Sequence, residues 1–493
     1  MNKIINLIKS HCLKYILEIS IFLGTVFISS ILTYFTSMRF PNDDQFILYR
    51  YVENIVNGHG FVYNIGEHVL ASTTPLFTLI SSFFKYLLPF LSVPTVVAGL
   101  NIIFLSLSSV FFYKVSRFFI SNKFSLIATF LFAISMAKTI PEGMETPLFL
   151  LMLFSFIYTI FSKKYITSSV LLSLTILTRP DAGLIAVIAF IYWVCLLGWK
   201  QAFKLTGICI LMAMPWLVFS TLYFGSPIPQ SLTTKLNADS MLNIERTLAL
   251  KVQTSNMSRI YWGKLFDPDN ILLQIIFNLI PFLILSLVAV WKKINKENWI
   301  LFVIPIVYFI SFSISNPIMY PWYISQMEPL WILVSFIGLI SLLNYIKNNF
   351  IKIIIVLIIL IGPVVSWVKI TTTLNQGSKI SLFKAAQYIN ENKKEEDTVG
   401  LGNIGIVGYI TKLHLIDFYG LVSPDSLRFY PIIDDCKEEK KLYVIPPEII
   451  KYTKPNWIVA GVEMQGCFMD SGWMQKNYDN AYEYNGLIVW HLK

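Results

Sequence analysis

Asp43 and Asp44 stand side by side just past the first long apolar run, in the segment PNDDQFILYRYVENI. Adjacent ionised carboxylates repel, so one of the pair is raised in pKa, which suits a general base or a metal ligand. The same doublet also fits two solvated loop acids, or a helix N-cap, because a carboxylate at a first turn accepts free backbone N–H groups. The scaffold around the pair has to separate these readings.

The run from 13 to 35 is long enough to cross a bilayer, and Lys3, Lys9 and Lys14 lie at its N-terminal end. No small-residue cleavage site follows it, so it reads as a retained helix and not as a signal segment. Of the 493 residues 55% are hydrophobic and 14% charged, against roughly 25% charged in soluble proteins. The mean hydropathy is +0.62. These values predict a polytopic α-helical membrane protein. Aromatic residues, at 15%, fit interfacial belts and sugar-stacking surfaces alike. The net charge of +10 comes from basic residues scattered between apolar runs, which is the pattern of topology determinants and excludes a nucleic-acid partner. Five cysteines without CxxC or Cys/His spacing exclude a zinc site. No cofactor is expected; a divalent metal is left open.

Further apolar runs follow at 95–113, 124–140, 146–162, 165–178, 181–198, 204–223, 271–291, 299–315, 325–345 and 352–370, which makes about eleven spans. With the N-terminus inside, Lys114, Arg117 and Lys123, then Lys163 and Lys164, Lys200 and Lys204, Lys292, Lys293 and Lys296, and Lys347 and Lys352 all fall on the cytoplasmic side. This parity requires that Thr73–Leu91 does not span. It holds Pro75, Lys85 and Pro89 and reads as a surface or re-entrant helix in a large first external loop, 37–94. The polar segments PNDDQF, NGHGFVYNIGE, PEGMETP, TRPDAG, YFGSPIPQS and SNPIMYPWY then share the outer face. Their convergence predicts a site there.

From about Asn375 charged runs appear and the apolar stretches shorten. TVGLG, HLIDFYG, NWIVAG and GLIVWHL read as strands and SLFKAAQYINEN as a helix. The domains expected are therefore 1–374, membrane-embedded, and 375–493, a small extracytoplasmic α/β domain. Within the latter, GLGNIG (Gly400–Gly405) matches the dinucleotide pattern G-x-G-x-x-G, with Asp417 after a second strand. The domain is small for a complete dinucleotide fold, and a tight strand-to-helix turn accounts for the glycines better. Cys436 and Cys467 share this external domain, where a disulfide or two buried thiols are equally expected.

DDQFILYRYVENIVNGHGFVYNIGEHVLASTTPLFTLI resembles the first external loop of bacterial GT-C fold glycosyltransferases, the arabinofuranosyltransferase-like group in particular. GMETPLF, LTRPDAGL, YFGSPIPQSLTTK and IGIVGYITKLHLIDFYGLVSP are similar to later segments of that group, so the resemblance runs from about Pro41 to Ser423. Gln45 stands where the group has a small residue, and Leu70-Ala71-Ser72 differs from the E-G-Y of mycobacterial members. The resemblance implies transfer of a sugar from a polyprenyl-phosphate donor to a cell-envelope glycan, lipid or protein acceptor, outside a bacterial plasma membrane. It implies a first-loop aspartate, Asp43 or Asp44, as the catalytic carboxylate, and favours the first of the pair slightly. Such transfer passes through an oxocarbenium-like state, and the departing phosphate needs cations. Arg50, Arg179 and Lys235 are candidates, with His59, Glu145, Asp181 and Tyr320 as further substrate-binding candidates. Arg179 at a helix end also fits simple snorkelling, Glu145 a helix cap, and His59 a structural loop position. A lipid-linked saccharide flippase, or a glycan polymerase or ligase, is the alternative; a flippase calls for charges deep in the helices, whereas here they concentrate at helix ends.

Overall fold

The computed structural model describes residues 2–37, 42–236, 280–315, 321–352, 354–355, 377–430, 445–461 and 472–493. Its helices run in order as α1 (Asn2–Ser37), α2 (Asp43–Val56), α3 (Pro75–Leu87), α4 (Val93–Ser116), α5 (Asn122–Ala137), α6 (Thr146–Phe161), α7 (Tyr165–Thr178), α8 (Gly183–Leu197), α9 (Trp199–Phe224) and α10 (Gln230–Leu236). There follow α11 (Ile280–Lys293), α12 (Trp299–Ser315), α13 (Pro321–Ser325), α14 (Glu328–Leu343), α15 (Gly377–Asn392), α16 (Ile404–Thr411), α17 (Pro447–Thr453) and α18 (Trp473–Asn477). The strands are β1 (Thr398–Leu401), β2 (His414–Asp417), β3 (Trp457–Gly461), β4 (Tyr478–Tyr484) and β5 (Leu487–Leu492).

The chain divides into two compact units. The first comprises Met1–Met38, Ala98–Met214 and Thr247–Leu374; the second comprises Arg39–Val97, Pro215–Arg246 and Asn375–Lys493. Arg39–Val97 thus falls in the same compact unit as Asn375–Lys493.

The first unit is helical, and its ends are set by local chemistry. Pro147 and Pro329 sit in the first turns of α6 and α14, where a missing N–H costs nothing. Gly198, at φ +83°, breaks α8 from α9 in a conformation other residues resist. Phe112 stacks on Phe132 at 4.6 Å between ring centres, and Phe154 meets both edge-on. Gly338 lets α14 approach α11 closely, because an added Cβ would overlap the Leu285 carbonyl. Among the described residues four helical segments are long and apolar enough to cross a membrane: Tyr15–Tyr34, Val93–Ser116, Pro180–Leu197 and Trp199–Phe224. Shorter apolar helices match most of the other runs, and 356–370, in the last expected span, lies outside the described residues.

In the second unit, α3 has 13 residues and is therefore ~20 Å long, too short to span a ~30 Å core. It buries Phe77, Thr78, Ser81 and Ser82 and exposes Leu79, Phe83, Phe84, Tyr86 and Leu87. Lys85 turns its ammonium onto the carbonyls of Pro89 and Leu91. The C-terminal residues form a five-stranded sheet of order β2-β1-β3-β5-β4. β2, β1 and β3 are parallel; β3–β5 and β5–β4 are antiparallel. The four strands and the helix read from the sequence are all present. β4 is the strand that the sequence reading lacked. Cys436 and Cys467 lie outside the described residues.

Candidate active site

The acid doublet opens α2, and the two acids have different surroundings. Asp44 is exposed. Asp43 is half-buried, with its carboxylate as the inward part. Its Oδ2 accepts the Gly405 N–H at 2.9 Å and its Oδ1 the Ile406 N–H at 2.7 Å. Those are orphan donors of the first turn of α16, so Asp43 caps a helix far away in sequence. Burial pushes its pKa up to about 7; the Ile406 and Gly405 N–H groups oppose this, and the charges of Asp44 and Asp417 add to it.

This capping explains the GLGNIG motif. The helix N-terminus that would receive a pyrophosphate in a dinucleotide fold receives the Asp43 carboxylate here. Gly405 is needed because an added Cβ would overlap the Asp43 carbonyl oxygen; at Gly408 it would overlap the Tyr63 hydroxyl and crowd Arg50. These glycines serve the crossing of α2 over α16.

Arg50 lies two turns further along the same face of α2 and is buried. Its Nε donates to the Tyr63 carbonyl at 2.8 Å, Nη1 to Gly408 at 3.0 Å, and Nη2 to Leu413 at 2.7 Å and to Asn64 Oδ1 at 3.3 Å. Four of its five N–H donors are thereby used. The guanidinium also covers the Tyr63 ring at 4.4 Å. Tyr63 donates its hydroxyl to the Ile404 carbonyl at 2.6 Å. Asn64 pairs with both backbone groups of Leu415, at 2.9 and 3.0 Å. The residues that make the first loop most recognisable therefore clamp it to β2 and α16. Arg50 is committed to carbonyls and does not face a phosphate.

The other candidates of this unit are spread. His59 is exposed in the turn between Gly58 and Gly60, whose φ values are +82° and +89°. Lys235 lies in α10, but its side chain is outside the described residues. α10 is tied down by Gln230, whose N–H reaches the Leu70 carbonyl at 2.7 Å and whose Nε2 reaches Gly420 at 3.2 Å. Asp417 accepts the N–H groups of Tyr419, Leu421 and Val422. Burial raises its pKa to about 6 against those three donors. Its carboxylate shapes a turn and holds no ribose. Gln45 is fully buried, with neither amide atom hydrogen-bonded to the described residues.

The first unit holds a second polar centre. Glu145 of PEGMETP and Arg179 and Asp181 of TRPDAG come together there. Arg179 Nε donates to Asp181 Oδ1 at 3.1 Å, Nη2 to Asp181 Oδ2 at 3.0 Å, and Nη1 to Glu145 Oε1. Glu145 and Arg179 are both buried, so this is a desolvated ion cluster, not a snorkelling arginine. Among the described residues one N–H on each Nη has no acceptor. Tyr308 donates to the Asp181 carbonyl at 2.7 Å, and the Tyr323 ring lies 5.5 Å from the guanidinium. Tyr320 is outside the described residues. Sequence reasoning missed the pair Lys138–Glu328, at 2.6 Å, which joins the end of α5 to the start of α14. A charged residue at each of two helix ends was its one available signal.

Solved structures share this architecture. The oligosaccharyltransferase AglB of Archaeoglobus fulgidus, in complex with an inhibitory peptide and a dolichol-phosphate, matches with a TM-score of 0.60 and 12% identity, over 91% of this chain and 70% of that one. ArnT from Cupriavidus metallidurans, bound to undecaprenyl phosphate, matches with a TM-score of 0.59 and 11% identity, over 97% of each chain. The fold is GT-C. AglB tethered to an acceptor peptide matches similarly, with a TM-score of 0.59 and 11% identity, over 97% of this chain and 74% of that one. No curated protein matches the sequence. Residues 370–488 match a domain model described as a domain of unknown function. A GT-C fold with four membrane-length apolar helices makes this a membrane protein.

Proposed function

We propose that this protein is a membrane glycosyltransferase that moves a sugar from a polyprenyl-phosphate donor to a cell-envelope acceptor on the extracytoplasmic face. The supporting observation is the divided acid pair: in a GT-C fold, Asp43 is spent on capping α16 while Asp44 stands exposed on the same helical turn. That AglB and ArnT were solved with dolichol-phosphate and undecaprenyl phosphate supports a lipid-phosphate donor.

In this reading Asp44 is the base. It takes the proton of the acceptor hydroxyl as the oxygen bonds to the anomeric carbon, and the bond to the lipid phosphate breaks. Asp43 is a positioning residue that fixes the first turn of α2. Arg179 keeps its charge through Glu145 and Asp181 and has donors to spare, so it is our candidate for stabilising the leaving phosphate, with Lys235, Tyr320 and His59 as further candidates. Arg50 is reassigned to clamping the loop.

The test is to supply membranes containing the protein with a labelled polyprenyl-phosphate sugar and to identify the product. A labelled acceptor is expected, at least 10²-fold less of it with Asp44→Asn. Labelled donor that crosses the membrane without forming a new glycosidic bond would establish the flippase alternative instead.

A further inference from the structure

The far end of the helix pair α6–α7 carries a second feature, separate from the acid pair and the Arg179 cluster. α6 starts after Glu145 and ends at Phe161, just before Lys163 and Lys164; α7 starts at Tyr165 and returns to Arg179. With 16 residues in α6, the two ends are ~24 Å apart. At the far end a cavity of about 480 Å³ opens among Lys163, Lys164 and Tyr165, Leu197 at the end of α8, and Gln201 and Lys204 of α9. That volume lies within the ~300–1,000 Å³ typical of small-molecule sites.

The lining combines three lysines, Lys163, Lys164 and Lys204, with the apolar Ile166, Leu197 and Leu205. Among the described residues no acid lines the cavity. Lys163 has one carboxylate partner, Glu297, at 3.2 Å, and both side chains are exposed. Among the described residues Lys164 and Lys204 have no acidic partner. Lys163 adopts φ +58°, the left-handed conformation that a helix end ordinarily gives to glycine. The chain therefore accepts backbone strain and keeps a cation at this turn. Beside the lysines, Ile166, Trp199 and Phe203 are exposed, and Trp199 stacks on Phe203 at 6.0 Å. An exposed tryptophan next to lysines marks the level of lipid headgroups. Basic pockets between membrane helices are suited to anionic headgroups, whose phosphate meets the ammonium groups while acyl chains cover the apolar rim.

We propose that this cavity binds the headgroup of an anionic phospholipid, in the leaflet opposite to the Arg179 cluster. The phosphate is held by Lys164 and Lys204, with Gln201 and the Tyr165 hydroxyl available to the glycerol or headgroup oxygens. The site is independent of the glycosyltransferase reading, because no residue in it takes part in the proposed chemistry.

Native mass spectrometry of the full chain, purified in detergent, tests it. Phosphatidylglycerol, phosphatidylethanolamine, undecaprenyl phosphate and inorganic phosphate are added in turn. One retained phosphatidylglycerol per chain is expected, about tenfold or more over phosphatidylethanolamine. The double variant Lys164→Gln, Lys204→Gln should lose that preference, while Lys292→Gln, Lys293→Gln, with the same change of charge elsewhere, should keep it. Unchanged elution and melting of both variants confirm folding. Equal retention by the first variant overturns the proposal, as does equal loss in the second. Preference for undecaprenyl phosphate, or displacement by inorganic phosphate, overturns the assignment to a phospholipid.

Discussion

At the scale of single residues, neighbouring acids are divided by what each meets. Asp43 is half-buried and accepts two backbone N–H groups, whereas Asp44 is exposed. Asp44→Asn is expected to lower transfer by about 10²–10⁴-fold with the melting temperature unchanged; full activity would remove it as the base. Asp43→Asn should retain more activity than that, and its effect should appear in pH dependence. The pKa values of Asp43 and Asp417, about 7 and about 6, both lie above the ordinary 3.8. The folded state therefore holds more protons than the unfolded state between about pH 4 and pH 7, so stability falls as pH rises through that window. Thermal unfolding across it should show the fall, and Asp43→Asn should make it shallower. Asp43→Ala should instead destabilise at every pH, since both N–H groups of α16 lose their acceptor. An Asn variant with the full wild-type slope would show that Asp43 is not the titrating group.

At the scale of elements, two helix ends are held by charge and one crossing by glycine. Gly405→Ala places a methyl group on the Asp43 carbonyl, in backbone that cannot yield cheaply. Overpacking of this kind costs about 1–3 kcal/mol, so the variant should melt earlier and be cut sooner by protease near α2. A wild-type proteolysis pattern would argue against a close crossing. In the other unit, Arg179→Gln leaves the buried Glu145 and the half-buried Asp181 without their cation. Breaking such a cluster costs about 3–5 kcal/mol. If Arg179 also serves the leaving phosphate, Arg179→Lys should recover folding more fully than turnover, because a lysine cannot reproduce the guanidinium fork. Equal recovery of both would confine Arg179 to a structural role. Elements also show what pattern reading overlooks. YDNAYEY lacks the β-branched residues that mark a strand, yet it pairs with β5 as β4. The signal was the turn: Asn485 and Gly486 both have positive φ, as a two-residue hairpin requires.

At the scale of the whole molecule, all the basic clusters share one side only if Thr73–Leu91 stays out of the bilayer, and the 13-residue α3 is too short to cross. The expected topology is N-terminus inside and C-terminus outside. A phosphatase reporter fused after Lys493 should be active, and a cytoplasmic reporter at the same place silent. The reverse pattern would put the acid pair on the cytoplasmic side and end the proposal of an external lipid-phosphate donor.

The sequence by itself determined the membrane class, most of the helical runs and four strands of the C-terminal sheet. These are properties of composition and short-range periodicity, and each element displays its own apolar pattern whatever it later packs against. Tertiary structure decided what the charged residues do. Arg50 read as a phosphate cation and became a clamp because its acceptors are carbonyls of Tyr63, Gly408 and Leu413, and backbone carbonyls leave no trace in sequence. GLGNIG read as a cradle or a tight turn and became the seat of a carboxylate from some 360 residues away. Glu145, Arg179 and Asp181 each had a plausible solitary role until folding brought them within hydrogen-bond reach. A long-range partner is chosen by chain topology, and its energy depends on burial that no local window of residues encodes.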